Sequence, residues 1–335
     1  MRAVPILALI VLGLLWAAPA HARLVYVKRA GTDAPLVYTS DDAGKGRRLL
    51  GAGKTPAVSP DGRWIAYVSV PRDSQDLEEL ILVPVEGGAR RLLTRARSIT
   101  DVRFSPSSGQ VAAIVRERRV RIYDLGQDAT IDTARGYIRG YTFSPDGAQL
   151  AFGVATGAAV GAPTDIYMAP LDRSVERRRL TTTGDALNPV WGPTEIIYDR
   201  QRRRRGQPPA YNLWATDPAG ATAPRQLTAL KIPSLVSGLV PLEISTDGLR
   251  LLAVFTGQDV AAGFTMNLVT GRSRSMSRDF EAGLVGFDLS ADGRSILAHT
   301  GGPDPAEQHD VVQVPFRGGK PVVLVKNAAF PDWSH

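Results

Sequence analysis

Cysteine is absent from the 335-residue chain. That excludes disulfides, thiolate metal sites, a thiol nucleophile and a lipid-bearing N-terminal cysteine. Histidine is scarce: four residues, at positions 21, 299, 309 and 335, leave little for metal or acid–base chemistry. No G-x-S-x-G, S-x-x-K, H-E-x-x-H, P-loop or G-x-G-x-x-G before a helix occurs. No catalytic residue is therefore assigned, and neither a cofactor nor a metal ion is expected. His309 does lie near Asp304, Glu307 and Asp310, with His299 ten residues earlier. Their spacing matches no metal site, and a loop rich in Pro, Gly and acids reads as solvated.

Beyond the first residues no apolar run is long enough to cross a bilayer. The start has the form of a secretory signal. Met1 and Arg2 precede an unbroken apolar run over 6–16, and Ala20 and Ala22 stand at the small-residue positions of a cleavage site. The run is short for a spanning helix. Residues 1–22 are thus expected to be removed and 23–335 to form one domain. The product is expected to be periplasmic or secreted, without membrane insertion.

What is abundant is a repeated unit. Copies read TPAVSPDGRWIAYVS, DVRFSPSSGQVAAIV, GYTFSPDGAQLAFGV, NPVWGPTEIIYDR, PLEISTDGLRLLAVF and GFDLSADGRSILAHT, with a seventh start at FPDWS. Anchored on the Ser, or on Gly192 in the fourth, they fall at 59, 105, 144, 192, 245, 290 and 334. The residue before each anchor is apolar and closes a short strand. Ser-Pro-Asp-Gly is a turn: Pro presets φ and Gly takes the left-handed position. Asp61, Asp146, Asp247 and Asp292 accordingly read as turn residues, not as catalytic or calcium-binding carboxylates. Three more strands follow in each copy, the last marked by Arg-Arg-Leu or a relative of it.

Four antiparallel strands in about forty to fifty residues is the arithmetic of a propeller blade. The chain would end on a lone first strand over 330–334 and begin, after the signal, on strands two to four of the same blade. The expectation is an all-β, seven-bladed β-propeller closed by a blade shared between the N- and C-terminal strands. Six blades is the runner-up, because the fourth and fifth copies carry irregular insertions.

The VSPDGRWIAYVS and FSPDGAQLAFGV stretches resemble the WD-like propeller repeat of the TolB family, over nearly all of residues 23–335. The resemblance implies an exported propeller that binds other proteins. The α/β domain that precedes the propeller in that family has no counterpart here, and the family's propellers have six blades. Prolyl oligopeptidases carry a similar repeat before a catalytic domain, which also has no counterpart.

Two sets of residues invite function. Arg200, Arg202, Arg203, Arg204 and Arg205 are the densest charge in the chain and fall between strands two and three of the fourth copy. They read either as a docking loop for a protein partner or an anionic ligand in the envelope, or as a solvated loop. Nucleic acid is not expected, because no aromatic stacking pattern interleaves with the arginines. The second set lies two residues before each anchor, on the strand face opposite the apolar residue. It reads Ala57, Arg103, Thr142, Val190, Glu243, Asp288 and Asp332. Arg103, Glu243, Asp288 and Asp332 are expected to line a central channel, as a polar funnel or as mutually paired charges. The function expected is an exported protein-interaction or scaffold module. The alternative is a propeller lyase or hydrolase acting on carbohydrate or peptide at the channel mouth. Other arginines recur on each copy's outermost strand, where charge discourages edge-to-edge pairing.

Overall fold

The computed structural model describes residues 23–71, 76–127, 130–159, 161–172, 176–204, 206–232, 236–257, 261–276, 283–302, 304 and 307–334. The expected signal segment, 1–22, lies outside them, as does Arg205. The described residues hold 28 strands and no α-helix. In the first unit β1 (Arg23–Lys28), β2 (Leu36–Asp41) and β3 (Arg48–Ala52) follow one another. The second is β4 (Lys54–Val58), β5 (Trp64–Ser69), β6 (Glu78–Pro84) and β7 (Arg91–Ala96). The third is β8 (Ile99–Phe104), β9 (Gln110–Val115), β10 (Arg119–Asp124) and β11 (Thr130–Arg135). The fourth is β12 (Tyr137–Phe143), β13 (Gln149–Ala155), β14 (Thr164–Pro170) and β15 (Arg178–Arg179). The fifth is β16 (Ala186–Trp191), β17 (Ile196–Arg204), β18 (Gln207–Thr216) and β19 (Arg225–Gln226). The sixth is β20 (Val236–Ile244), β21 (Arg250–Gly257), β22 (Ala261–Asn267) and β23 (Ser273–Ser275). The last is β24 (Leu284–Leu289), β25 (Ser295–Thr300), β26 (Val311–Pro315) and β27 (Val322–Val325), after which β28 (Ala329–Trp333) returns to β1.

Each unit is an antiparallel meander. Single parallel pairings, Tyr211 with Gly238 and Ala262 with Leu284, join the fifth, sixth and last units into one 12-stranded sheet. β28 pairs with β1 through Leu24–Trp333, Val25–Asp332 and Val27–Ala329, completing the first unit as β28-β1-β2-β3. The expected shared sheet is therefore present. Arg23 N–H donates to Ser334 Oγ at 2.9 Å, and Ser334 N–H donates to the Arg23 carbonyl at 3.0 Å.

The core is divided as a propeller divides it, between neighbouring sheets. One apolar cluster joins Val25 and Val37 of the first unit to Ile65 and Tyr67 of the second. Others follow at each successive boundary, and the last joins Leu297 and Val311 to Leu24, Tyr26 and Trp333. Second strands such as β5 and β13 are apolar on both faces because a sheet lies against each. Outer-strand arginines do more than repel foreign edges. Arg90 donates to the Leu50 carbonyl at 2.5 Å, Arg178 to those of Pro218 and Ala219, and Arg274 to that of Arg317 at 3.1 Å. Each of these bonds crosses to a neighbouring unit.

The repeated turn is held as its composition implies. In the fourth unit Ser144 Oγ donates to Asp146 Oδ1 at 2.5 Å and accepts from Gln149 N–H at 2.9 Å. Asp146 Oδ1 also accepts from Ala148 N–H at 2.9 Å, and Gly147 sits at φ +70°. The same set recurs at Ser59–Asp61, Ser245–Asp247 and Ser290–Asp292. These bonds hold all four Asp carboxyls below the ordinary carboxylate range; at Asp61, burial opposes them. Ser144 is buried, so Ser144→Ala should cost about 1–2 kcal/mol in a urea melt, with no compensating contact. An unchanged midpoint would mean that backbone geometry alone holds the turn.

First strands are less regular than simple alternation implies. Every one carries a register shift that ends at the residue two positions ahead of the anchor, or in the fourth unit at Tyr141, one position earlier. In five units the residue four positions ahead of the anchor has positive φ: Thr55, Asp101, Gly140, Asn188 and Phe330. For Thr and Phe this is a costly conformation, held by the surrounding sheet. The bulge re-aims the innermost side chains toward the axis.

Candidate functional site at the axis

The innermost strands enclose a cavity of about 540 Å3. Its wall includes Arg103, Glu243, Asp288 and Asp332 together with Ala57, so the four charged residues expected at a channel are brought to one place. Thr142 and Val190, from the fourth and fifth units, are not part of the wall. Phe287, Phe330 and Trp333 form an apolar side, and Asp101 adds a carboxyl. Hydrogen bonds place the loops at one end of the axis. Loops between second and third strands bond to the start of the next first strand, as in Ile138 N–H to the Glu117 carbonyl and Ala328 N–H to that of His309, or to the start of their own, as in Gly301 N–H to the Gly283 carbonyl. These loops lie at the end where first strands begin, opposite the Ser-Pro-Asp-Gly turns.

The acids are neither a simple funnel nor paired only with one another. Glu243 Oε2 accepts from Leu289 N–H at 2.5 Å, Asp288 Oδ2 from Trp333 N–H at 3.5 Å, and Asp332 Oδ2 from Val58 N–H at 2.7 Å. In each case the side chain of one unit takes the N–H just before the anchor of the next. Thr142 Oγ1 does the same for Trp191 N–H at 3.4 Å. Alanine and valine at the equivalent positions cannot. The polar ring is thus a latch between consecutive innermost strands.

Its electrostatics are uneven. Burial pushes Glu243 well above the usual carboxyl range, and the adjacent Asp288 carboxylate, with Asp332 behind it, adds to the shift. Across the cavity Arg103 Nε donates to Asp101 Oδ1 at 2.6 Å, and its guanidinium lies 5.9 Å from the Tyr141 ring centre. Asp101, above all, raises the Arg103 pKa, so this side chain stays cationic. Asp101 is itself placed by its positive φ and by Tyr141 Oη–H, which donates to its carbonyl at 2.7 Å. Simple strand alternation would not have assigned it. The described residues contain no group of His and acids arranged to hold a metal ion.

The arginine run is placed differently from the expected loop. β17 extends through Arg204 and pairs with β18 by Arg202–Ala210 and Arg204–Gln207, so Arg200, Arg202, Arg203 and Arg204 belong to a long hairpin strand. Arg200 is committed to structure: it forks onto Asp185, Nε–Oδ1 3.0 Å and Nη2–Oδ2 2.9 Å, and stacks 4.2 Å above the Trp214 ring. Arg202 is exposed. The histidines expected to carry no metal form an aromatic knot instead. The His299 and His309 rings are 4.3 Å apart, with Phe287 and Phe330 against His299, and burial lowers the His299 pKa to about 4.

Neither a family model nor a curated protein matches the chain. Solved structures do. The β-propeller domain of the Trilobed protease from Pyrococcus furiosus superposes with a TM-score of 0.69 at 12% identity, over 91% of this chain and 92% of that one. That propeller is described as having an open velcro topology; here β28 pairs with β1. Oligogalacturonate lyase from Vibrio parahaemolyticus gives 0.60 at 11% identity, over 92% and 87%. TolB from Acinetobacter baumannii gives 0.55 at 16% identity, over 92% and 81%. TolB, a lyase and a protease's propeller domain thus share this architecture, and such likeness decides the fold alone. In fold, the chain is a TolB-like β-propeller.

Proposed function

We propose that the chain is an exported, seven-bladed propeller that works as a protein-interaction module in the bacterial envelope. The observation that carries this reading is the axial cavity: its acids are occupied as acceptors of backbone N–H groups from the next strand. Its described wall holds no Ser, Lys, Tyr or His that could pair with them as nucleophile or base. A half-apolar, half-charged mouth ringed by loops suits a protruding segment of another protein. The TolB likeness and the signal-like start support export to the periplasm. Crosslinking through a photoreactive residue at Phe330, at the mouth, should capture a discrete envelope partner. The same residue placed at Gly147, on the opposite face, should not. Equal capture from both faces would remove the axial mouth from the proposal.

One observation favours the second reading, an acid-catalysed lyase or hydrolase: burial and the adjacent Asp288 push the Glu243 pKa upward, the direction a general acid needs. On that reading Glu243→Gln abolishes turnover of an oligosaccharide or peptide panel. On the binding reading there is no turnover to lose, and partner capture survives the substitution.

A further inference from the structure

A second cavity, of about 560 Å3, lies beside the β17–β18 hairpin and shares no wall residue with the axial one. Arg200, Arg202 and Lys231 line it, with Asp185 the sole acid among its described wall residues. Arg200 is held rigid. Its Nε and one Nη2 donor engage Asp185, and Trp214 covers one face of the guanidinium. Two Nη1 donors and one on Nη2 remain for a ligand. The segment bearing Lys231 is also fixed. Asn212 Oδ1 accepts from Leu230 N–H and Thr228 Oγ1–H, both at 2.9 Å, and Thr228 Oγ1 accepts from Leu213 N–H at 2.9 Å. Gln226 Nε2 donates to the Thr228 carbonyl at 2.6 Å, closing the wall. Arg202 and Lys231 are exposed, and neither has an ion-pair partner among the described residues.

We propose that this cavity is a phosphate-binding site. Three cations against one carboxylate leave an excess of two positive charges, which matches a phosphomonoester dianion. A preorganised guanidinium fork and a lysine are the side chains that recognise such a group. Leu230 and Ile232 offer the carbon skeleton of the ester an apolar wall. The site does not depend on the axial reading, because no residue is common to both.

Calorimetric titration of the full chain at low salt, with inorganic phosphate and with glucose 1-phosphate, tests the proposal. Flotation with phosphatidate-containing vesicles, against phosphatidylcholine alone, tests the lipid-borne form of the same group. Arg202→Ala and Lys231→Ala should each weaken binding about tenfold, and the pair about a hundredfold, as lost charge-assisted bonds imply. Both residues are exposed, so an unchanged circular dichroism spectrum and melting temperature serve as the folding control. Arg200→Lys keeps the charge but loses the fork and the stack, and should weaken binding as much. Response to the soluble phosphates assigns a soluble ester. Flotation alone, lost in the double variant, assigns a lipid headgroup. The proposal is overturned if neither soluble phosphate nor vesicle binds. It is equally overturned if the double variant binds as tightly as the native chain, or if glucose matches glucose 1-phosphate.

Discussion

Trp333→Ala is expected to cost about 3–5 kcal/mol, the range for deleting a large aromatic from a packed interior. For a domain of this size that lowers the melting temperature by roughly 10 °C. Trp333 is 7% exposed and packs with Leu24, Tyr26, Leu297 and Val311 where the chain's two ends meet. Its indole N–H donates to the Leu289 carbonyl at 3.1 Å, and the strand that carries it pairs with β1. Removing the ring therefore leaves a cavity and a buried acceptor without its donor, and loosens β28. A freed β1 edge would then template association, so concentration-dependent aggregation should accompany the early melt. Differential scanning calorimetry with light scattering checks both. A loss below about 1 kcal/mol, the scale of a surface change, would show that β28 contributes little to closure.

The second large effect is a pH dependence with a definite sign. Asp199 is fully buried, its Oδ1 accepts from Asn188 Nδ2 at 2.9 Å, and its Oδ2 has no hydrogen-bond partner. Burial pushes its pKa up from 3.8 to about 7. A carboxyl whose folded pKa lies above its unfolded value binds more protons in the native state. Its contribution is complete below about pH 3.8 and is lost as the pH rises to about 7. Asp199→Asn keeps the shape and removes that loss. Relative to the native protein the variant should gain stability between pH 4 and pH 8, by an amount on the order of 4 kcal/mol at most. The new amide leaves a buried donor without a partner, which lowers the variant by on the order of 1–3 kcal/mol at every pH. His299 acts in the opposite direction: its pKa falls from 6.5 to about 4, so it withdraws stability as the pH drops through that interval. The native profile should thus be shallow between pH 4 and 6.5, and the variant's should climb. Urea melts across the range measure the difference. A difference between the two proteins that stays constant from pH 4 to pH 8 would overturn the assignment.

Much of the architecture was legible in local chemistry. Ser-Pro-Asp-Gly specifies its turn from four consecutive residues, and the hydroxyl, carboxylate and glycine all act within five positions of Ser144. The apolar residue before each anchor is buried or half-buried because it closes a strand between two sheets. Arg103, Glu243, Asp288 and Asp332 could be chosen from sequence because the repeat sets their register relative to the anchor. What they bond was not legible. Glu243 meets Leu289 N–H across 46 residues, and Asp332 meets Val58 N–H across 274. Nor did anything local mark Asp101 as part of the axial wall, since a bulge at positive φ aims it there. The arginine run shows the opposite error. Charge density and nearby Gly and Pro read as a loop, yet pairing with β18 drew the segment into a hairpin.

The amino-acid sequence alone determined the repeat, its turns, the strand order within each unit and the sheet shared by the two ends. All of these rest on contacts between residues near in the chain, or on the avoidance of a bare edge. Tertiary structure alone decided which acids have raised pKa values, which backbone groups they hold, and that Asp185, Arg200, Trp214 and Lys231 share one cavity. Those properties depend on burial and on charges from distant segments, and neither exists until the sheets close around the axis.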